Sequence, residues 1–384
     1  MKWQNRFSWF KDWVGVSEDE FLNARHKYIR RLDNGHLAIY NRVSNQIWDA
    51  GHFEVQSIAE LLQKVTIESK DGSVKKALPQ IEIIVRRTEE ALGHVDVTCL
   101  QSRAKPNSMF QVASNFNCAE VPSPFTDMIG GRFVSNNALD HTQGPAASAS
   151  AGISLITRIH APFFDPNLDP SEWGQCFEKQ VELLGNDLIR EHFPIENGKL
   201  IFTGREPLDF DPTEEQMQSV RIGIHLDVPV YFGRREGSFM EISDPVPIID
   251  QVFVAALNRR APLPHSQHLQ SKTQFLLRAA YEGTYLAATL RKTQHLVLTL
   301  VGGGVFGNPI EEIAKAIAHA HQKWSHQSSL QTVRLPVYSL NATKGDTNIA
   351  IVLYEMLQKE GIENDNITIV YEDKPPIALV NPSV

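Results

Sequence analysis

His295-Leu296-Val297-Leu298-Thr299-Leu300-Val301 runs straight into Gly302-Gly303-Gly304-Val305-Phe306-Gly307-Asn308-Pro309, and a helical pattern follows to Trp324. The aliphatic run reads as a buried strand. Glycines free the backbone to wrap an anion, and the helix that Pro309 opens adds unpaired amides and the favourable end of its dipole. Strand, glycine turn and helix together make a phosphate cradle; a glycine-rich turn that holds nothing is the alternative. The loop also fits G-x-G-x-x-G through Gly302, Gly304 and Gly307. That dinucleotide fingerprint expects an acidic ribose ligand about 20 residues on, at the end of the next strand. His319, His321 and Lys323 stand there on a helix instead. No Gly-Lys-Ser/Thr follows either, which excludes a P-loop.

Working outward, the C-terminal third alternates: strand Val252 to Ala256, helix Thr273 to Leu290, strand His295 to Val301, helix Pro309 to Trp324, strand Val333 to Leu340 and helix Asn348 to Lys359. Such alternation signals an α/β fold. Upstream, Ile58 to Val65 reads as a helix, Gln80 to Val85 as an Ile-rich buried strand and Val95 to Leu100 as another strand. Thr142-Gln143-Gly144-Pro145, followed by the small residues Ala146 to Ala151, is a helix start with a second set of amides able to face an anion. Asp169-Pro170 caps a helix striped by Phe177, Val181, Leu184 and Leu188. Trp3, Phe7, Phe10 and Val14 recur at helical spacing, so the first segment reads as an amphipathic helix packed on the body by its aromatic face.

Composition narrows the classes. The chain has 384 residues, 45 acidic against 37 basic, for a net charge of -8. That balance argues against neutralising nucleic-acid phosphates, which needs clustered Lys and Arg in excess. No uncharged apolar run reaches the ~20 residues that span a bilayer. Cys99, Cys118 and Cys176 form no C-x-x-C pair and read as reduced thiols. Lys2, Arg6, Lys11 and Asp12 interrupt the N-terminal aromatics, so no signal-peptide core is expected. His265-x-x-His268 and His319-x-His321 lack a third ligand at motif spacing, and solvated histidines with no metal are expected.

Gly304-Val305-Phe306-Gly307-Asn308-Pro309 resembles the diphosphate-binding loop of macrodomains, which reads Gly, aliphatic, aromatic, Gly, variable, Pro. Ser114-Asn115-Phe116-Asn117, after Met109 to Ala113, resembles the family's Asn-rich first loop, with Ser114 in place of the usual first Asn. On that match Asn117 takes the position that contacts the distal ribose. The adenine-recognising Asp is absent, since Val85 leads into Arg86-Arg87-Thr88. With Thr142-Gln143-Gly144-Pro145 added, the pattern is similar to a divergent macrodomain group that includes ADP-ribosylhydrolase effectors of intracellular bacterial pathogens. These act on arginine-linked ADP-ribose on ubiquitin or other host proteins. Poly(ADP-ribose) glycohydrolases compete, because their signature is Gly-Gly-Gly followed after a spacer by Gln-Glu-Glu. Here Gly302-Gly303-Gly304 precedes Ile310-Glu311-Glu312, with Ile310 in place of Gln and a short spacer. Glu311 and Glu312 also have a plain account, as acidic residues complementing the dipole of a first helical turn.

Carboxylates for chemistry at an anomeric carbon are sought elsewhere. Ile222, Ile224, Leu226, Val228 and Val230 alternate, which sets His225 and Asp227 on one opposite face, catalytic or solvated. Asp250 precedes an apolar strand, at a sheet end or a turn. Glu282 lies at the margin of a helical stripe, with an i, i+4 pair to Arg278 as its ordinary reading. Asp140 and Glu120 flank the two loops as weaker candidates.

The resemblance implies a macrodomain-like three-layer α/β/α sandwich with a central mixed sheet. The expected organisation is an N-terminal helical extension over 1–48, and a catalytic domain over 49–384 with an insertion at about 160–245. The expected activity is an ADP-ribosylhydrolase acting on N-glycosyl linkages, without cofactor. A non-catalytic ADP-ribose reader and a poly(ADP-ribose) glycohydrolase-like enzyme are the alternatives, and an oxidoreductase holding NAD is a more remote one. Asp227, Asp250 and Glu282 are the catalytic candidates. Asn115, Asn117, Thr142, Gln143, Gly144, Gly303, Gly304, Val305, Phe306, Gly307 and Asn308 are the ligand-binding ones. Partners are ADP-ribose or ADP-ribosylated protein, ubiquitin among them, with no nucleic acid and no membrane span. A cytosolic location is expected; if the chain is a bacterial effector, the resemblance implies delivery into the host cytosol without a cleaved signal peptide.

Overall fold

The fold is described from a computed structural model over residues 8–68, 77–86, 97–119, 134, 152–161, 169, 182–185, 187–196, 198–202, 205–207, 209–235, 238–241, 245–260, 269–337 and 343–372. In chain order the strands are β1 (Ile29–Arg31), β2 (Leu37–Asn41), β3 (Gln46–Asp49), β4 (His52–Ser57), β5 (Gln80–Arg86), β6 (Ser108–Ala113), β7 (Ile195–Glu196) and β8 (Lys199–Leu200). They continue with β9 (Arg221–Pro229), β10 (Phe232–Arg235), β11 (Ser238–Glu241), β12 (Ile248–Val254), β13 (His295–Val297), β14 (Thr332–Val337) and β15 (Ile367–Glu372).

Eight of them form a central sheet in the order β15-β5-β14-β13-β6-β12-β9-β4. Every neighbouring pair is parallel except those β9 makes with β12 and β4, so β9 alone is reversed. The inner strands read as near-continuous apolar runs because both faces are covered. On one face Gln111 of β6 reaches Thr284 of the helix Leu269–Leu290. That helix packs against Ile58–Glu68 and Ile310–Trp324, and the latter against Thr343–Lys359. On the other face Arg158 of the helix Gly152–His160 lies over the ring of Phe253 in β12. The expected α/β/α sandwich around a mixed sheet is what the chain adopts.

Val95 to Leu100, expected as a strand, is helical over Val97–Gln101. A short apolar run does not reveal its period, and this one lies on the crossover between parallel strands β5 and β6, a connection usually made by a helix. The strand expected over His295 to Val301 stops at Val297, because from Thr299 onward side chains replace the ladder. Thr299 N donates to Gln111 Oε1 (3.2 Å) and its carbonyl accepts from Tyr281 Oη (2.7 Å). β9 lies inside the span read as an insertion yet is an internal strand of the sheet, so the insertion does not extend through Arg221–Pro229. The described part of the segment read as a helical extension over 1–48 holds two short α-helices, a 3-10 turn and the antiparallel sheet β1-β2-β3, whose last strand ends at Asp49. Of the aromatic face expected on the first helix, Phe10 and Val14 are buried, with Trp9 beside them, while Trp3 and Phe7 lie outside the described residues. Thr142 to Ala151 and most of the helix expected after Pro170 lie outside the described residues.

Candidate functional site

β6, β12 and β13 are neighbours and run in parallel, so their carboxyl ends open on one edge of the sheet. Open α/β sheets bind ligands outside such edges. Three loops meet there: Ser114 to Ala119 after β6, Ala255 to Arg260 after β12, and Leu298 to Pro309 after β13. The glycine-rich loop crosses the end of β6 and is laced to the β12 loop. Arg259 N donates to the carbonyl of Phe306 (2.9 Å), and Asn308 Nδ2 to the carbonyl of Leu257 (3.1 Å). Gly302 turns the chain with φ +70, and a Cβ there would fall 1.8 Å from Asn308 Nδ2, so only glycine fits. Gly307, at φ +68, gives room to Arg260, whose Nε lies 2.9 Å from where a Cβ would stand.

Internal bonds consume the amides of Gly303, Gly307 and Asn308. Among the described residues those of Gly304, Val305 and Phe306 have no protein acceptor. Gly303, Gly304 and Val305 are exposed, and nothing stands within 4 Å of a Cβ built on Gly304. The loop then enters the helix Ile310–Trp324, whose cap Pro309 offers no side-chain hydrogen bond to the first turn. Three consecutive open amides beside uncapped helix amides form a concave donor set suited to an anion. Asn308, expected among the ligand contacts, is instead buried as a brace of the loop.

In the neighbouring loop, Asn115 N donates to the Ala119 carbonyl (2.7 Å) and Cys118 N to the Asn115 carbonyl (3.1 Å), with Cys118 left-handed at φ +58. Asn115 Nδ2 is buried without a partner among the described residues. Asn117 is buried, accepts from Ala119 N through Oδ1, and is covered by Gly198, where a Cβ would meet its amide at 2.3–2.6 Å. Phe116 N donates to Gly198, tying the β7–β8 hairpin over this loop. Thr142, Gln143 and Gly144 lie outside the described residues, as do Glu120 and Asp140.

The structure does not bring the three expected catalytic carboxylates to this edge. Asp250 pairs in register with Met109 near the amino end of β6, about 13 Å along the strand from Val254. It meets Asp227 there, since Asp227 N donates to Asp250 Oδ1 (2.9 Å), but Arg291 neutralises both, at 2.9 Å from each. Burial raises the Asp250 pKa against the lowering by Arg291 and the Asp227 amide. Asp227 also leaves the face expected for it. It takes φ +54 where the β9–β12 register shifts, a bulge that turns it to Arg291 and His36 while His225 stays buried. Glu282 is enclosed between helices and accepts from Arg278, His319, Lys323 and Trp324 at 2.6–3.3 Å. Burial alone would raise its pKa, but these donors bring it to about 2. Both its oxygens are committed to structure.

One carboxylate does adjoin the glycine-rich loop. Glu312, in the first helical turn after it, accepts from Gln270 Nε2 (3.0 Å) through Oε1, while its buried Oε2 has no partner among the described residues. Glu311 beside it is exposed.

No protein-family profile matches the chain, and no curated protein matches it in sequence. Solved structures do. Poly(ADP-ribose) glycohydrolase from Thermomonospora curvata superposes with a TM-score of 0.47 at 15% identity, over 91% of this chain and 98% of that one. The enzyme of that name from Deinococcus radiodurans, in complex with ADP-ribose, gives 0.46 at 12%, over 80% and 94%.

The histidines read as solvated are engaged where they are described. His319 bonds Glu282, and His321 is buried against Tyr285 and Ser325. Burial lowers the His321 pKa to about 4. Among the described residues no group of three or more His, Cys, Asp or Glu is placed to hold a metal, and no helix is long and apolar enough to cross a membrane. His265 and His268 lie outside them. Gln111, Tyr281 and Gln270, which shape the loop and steady Glu312, carry no motif; only their pairing across elements reveals them.

Proposed function

We propose that this chain is an ADP-ribosylhydrolase that holds the diphosphate of an ADP-ribose unit on Gly303 to Gly307 and cleaves the bond at the anomeric carbon of the distal ribose. The open amides of Gly304, Val305 and Phe306 at the carboxyl edge of β13 carry this reading. A diphosphate held by amides and a helix end needs no Lys or Arg excess, so the net charge of -8 is no obstacle. Glu312, rather than Asp227 or Asp250, takes the catalytic role. Cleavage develops oxocarbenium character, which an ionised carboxylate stabilises while it orients the attacking water and takes its proton, which passes on to the leaving group. Its neighbour Glu311 completes the tandem-acid likeness to poly(ADP-ribose) glycohydrolases. Asn115 contributes an unpaired amide donor from the adjoining loop, and Thr142 to Gly144 belong to the same proposed contact set. Arginine-linked ADP-ribose on ubiquitin or another host protein is the first substrate to try, on the motif resemblance; ribose-to-ribose linkages are the second.

The test is release of ADP-ribose from arginine-, serine- and glutamate-modified protein and from poly(ADP-ribose), alongside calorimetric binding of ADP-ribose. Glu312→Gln is expected to lower turnover by about 10²- to 10⁴-fold with binding retained. Gly304→Glu, whose side chain enters open space, is expected to abolish binding without unfolding. Full turnover in Glu312→Gln removes that residue from catalysis. Binding without release on any linkage makes the chain a reader.

A further inference from the structure

The helix Gly152–His160 carries a positive charge into the interior on the face of the sheet away from the helix Leu269–Leu290. Arg158 is 0% exposed, and so are Cys118 and Phe253, with His225 at 1%. Its Nε donates to the carbonyl of Cys118 (3.1 Å), Nη1 to Nδ1 of His225 (3.3 Å), and its guanidinium lies 3.9 Å over the ring of Phe253. His225 turns its other ring nitrogen to the carbonyl of Ala50 (2.8 Å), which makes it the neutral Nε2–H tautomer. Burial, reinforced by the charge of Arg158, holds the His225 pKa well below its ordinary value. The Cys118 thiol is pushed up to about 12 by burial, so it supplies no countercharge.

Every partner of this guanidinium among the described residues is therefore neutral. Burial lowers the Arg158 pKa to about 9, which still leaves it protonated at neutral pH. Its remaining donor, Nη2, is buried with no partner among the described residues, and no carboxylate of theirs pairs with it. An arginine fork ordinarily meets an anion, and a lone buried cation is strongly disfavoured unless one faces it. The enclosure selects the ion. A doubly charged oxyanion loses far more hydration on entry than a single compact charge does.

We propose that Arg158 binds a small monovalent anion of the halide class, chloride being the ordinary one, at Nη2 between the helix Gly152–His160 and the sheet. The ion completes the charge balance beneath the Ser114 to Ala119 loop, whose Cys118 carbonyl Arg158 already holds. This site is independent of the glycine-rich loop and of any activity there.

Melting of the full chain in chloride and in gluconate at equal ionic strength reads the effect. Chloride is expected to raise Tm by about 2 °C and to saturate, whereas gluconate, a large polyhydroxylated anion, is expected to leave Tm unchanged. Arg158→Met keeps a long side chain on Phe253, removes the charge and is expected to lose the chloride dependence. A crystal soaked in bromide is expected to show an anomalous peak within hydrogen-bond distance of Nη2, a readout that stands even if the variant does not fold. Equal melting in the two salts, a chloride effect that survives in Arg158→Met, or a bromide soak with no peak beside Nη2 overturns the proposal.

Discussion

Glu282 shows how far a single carboxylate's setting decides its role. A Glu on a helix four residues after an Arg reads as a surface pair, and the Arg278 contact is present. What the local sequence hides is that His319, Lys323 and Trp324 converge on the same carboxylate from the next helix, 37 to 42 residues on. The drop from 4.5 to about 2 corresponds to about 3 kcal/mol, present above the unfolded pKa and lost as pH falls toward 2. Glu282→Gln is accordingly expected to lose about 3 kcal/mol at pH 7, and to flatten the acid loss of stability between about pH 5 and 2. Urea titrations of both proteins across that range check it; parallel curves would remove Glu282 from the acid transition. Because both oxygens are occupied, no direct role in hydrolysis is expected.

At the scale of elements, strand, glycine turn and helix were legible because each rests on local chemistry: aliphatic run, φ above zero, Pro at a helix start. The ends were not. β13 stops three residues in because Gln111 and Tyr281 take over the backbone groups of Thr299, a substitution made by distant side chains. Alternation along Ile222 to Val230 likewise predicted one polar face, and the bulge at Asp227 broke it where β12 shifts register. The glycines of the loop are unequal in the same way. Gly302→Ala drives a Cβ into Asn308 Nδ2 and holds alanine at positive φ, so it is expected to cost about 1–3 kcal/mol and to remove the proposed ADP-ribose binding with the loop's shape. Gly304→Ala meets nothing within 4 Å and is expected to change stability by less than about 0.5 kcal/mol. Thermal melts and calorimetry on the pair separate shape from sequence: equal losses would mean that Gly302 is not the turn on which the loop depends.

For the whole molecule, the boundary expected at residue 48 came from a change of periodicity, which does not register what the N-terminal segment covers. Trp9, Phe10, Trp13 and Phe21 are all buried, and Trp13 packs between Trp48 and Tyr231 with ring centroids 4.2 and 5.2 Å away. Arg25 Nε donates to His160 Nδ1 (3.2 Å), and Ala50, just past this segment, accepts from both Ser154 (2.7 Å) and His225 (2.8 Å). The N-terminal layer thus closes the face of the sheet on which the helix Gly152–His160 lies. Four buried aromatics at about 1.5–3 kcal/mol each amount to about 6–12 kcal/mol, the size of a whole domain's net stability. A chain lacking residues 1–48 would expose that helix with its buried Arg158 and His160, and is expected not to reach a cooperatively folded state. The full chain is expected to unfold in one calorimetric transition, with van't Hoff and calorimetric enthalpies in agreement. Two separated transitions, the upper one retained by the shortened chain, would instead make the first 48 residues an appendage and return the boundary to where the periodicity placed it.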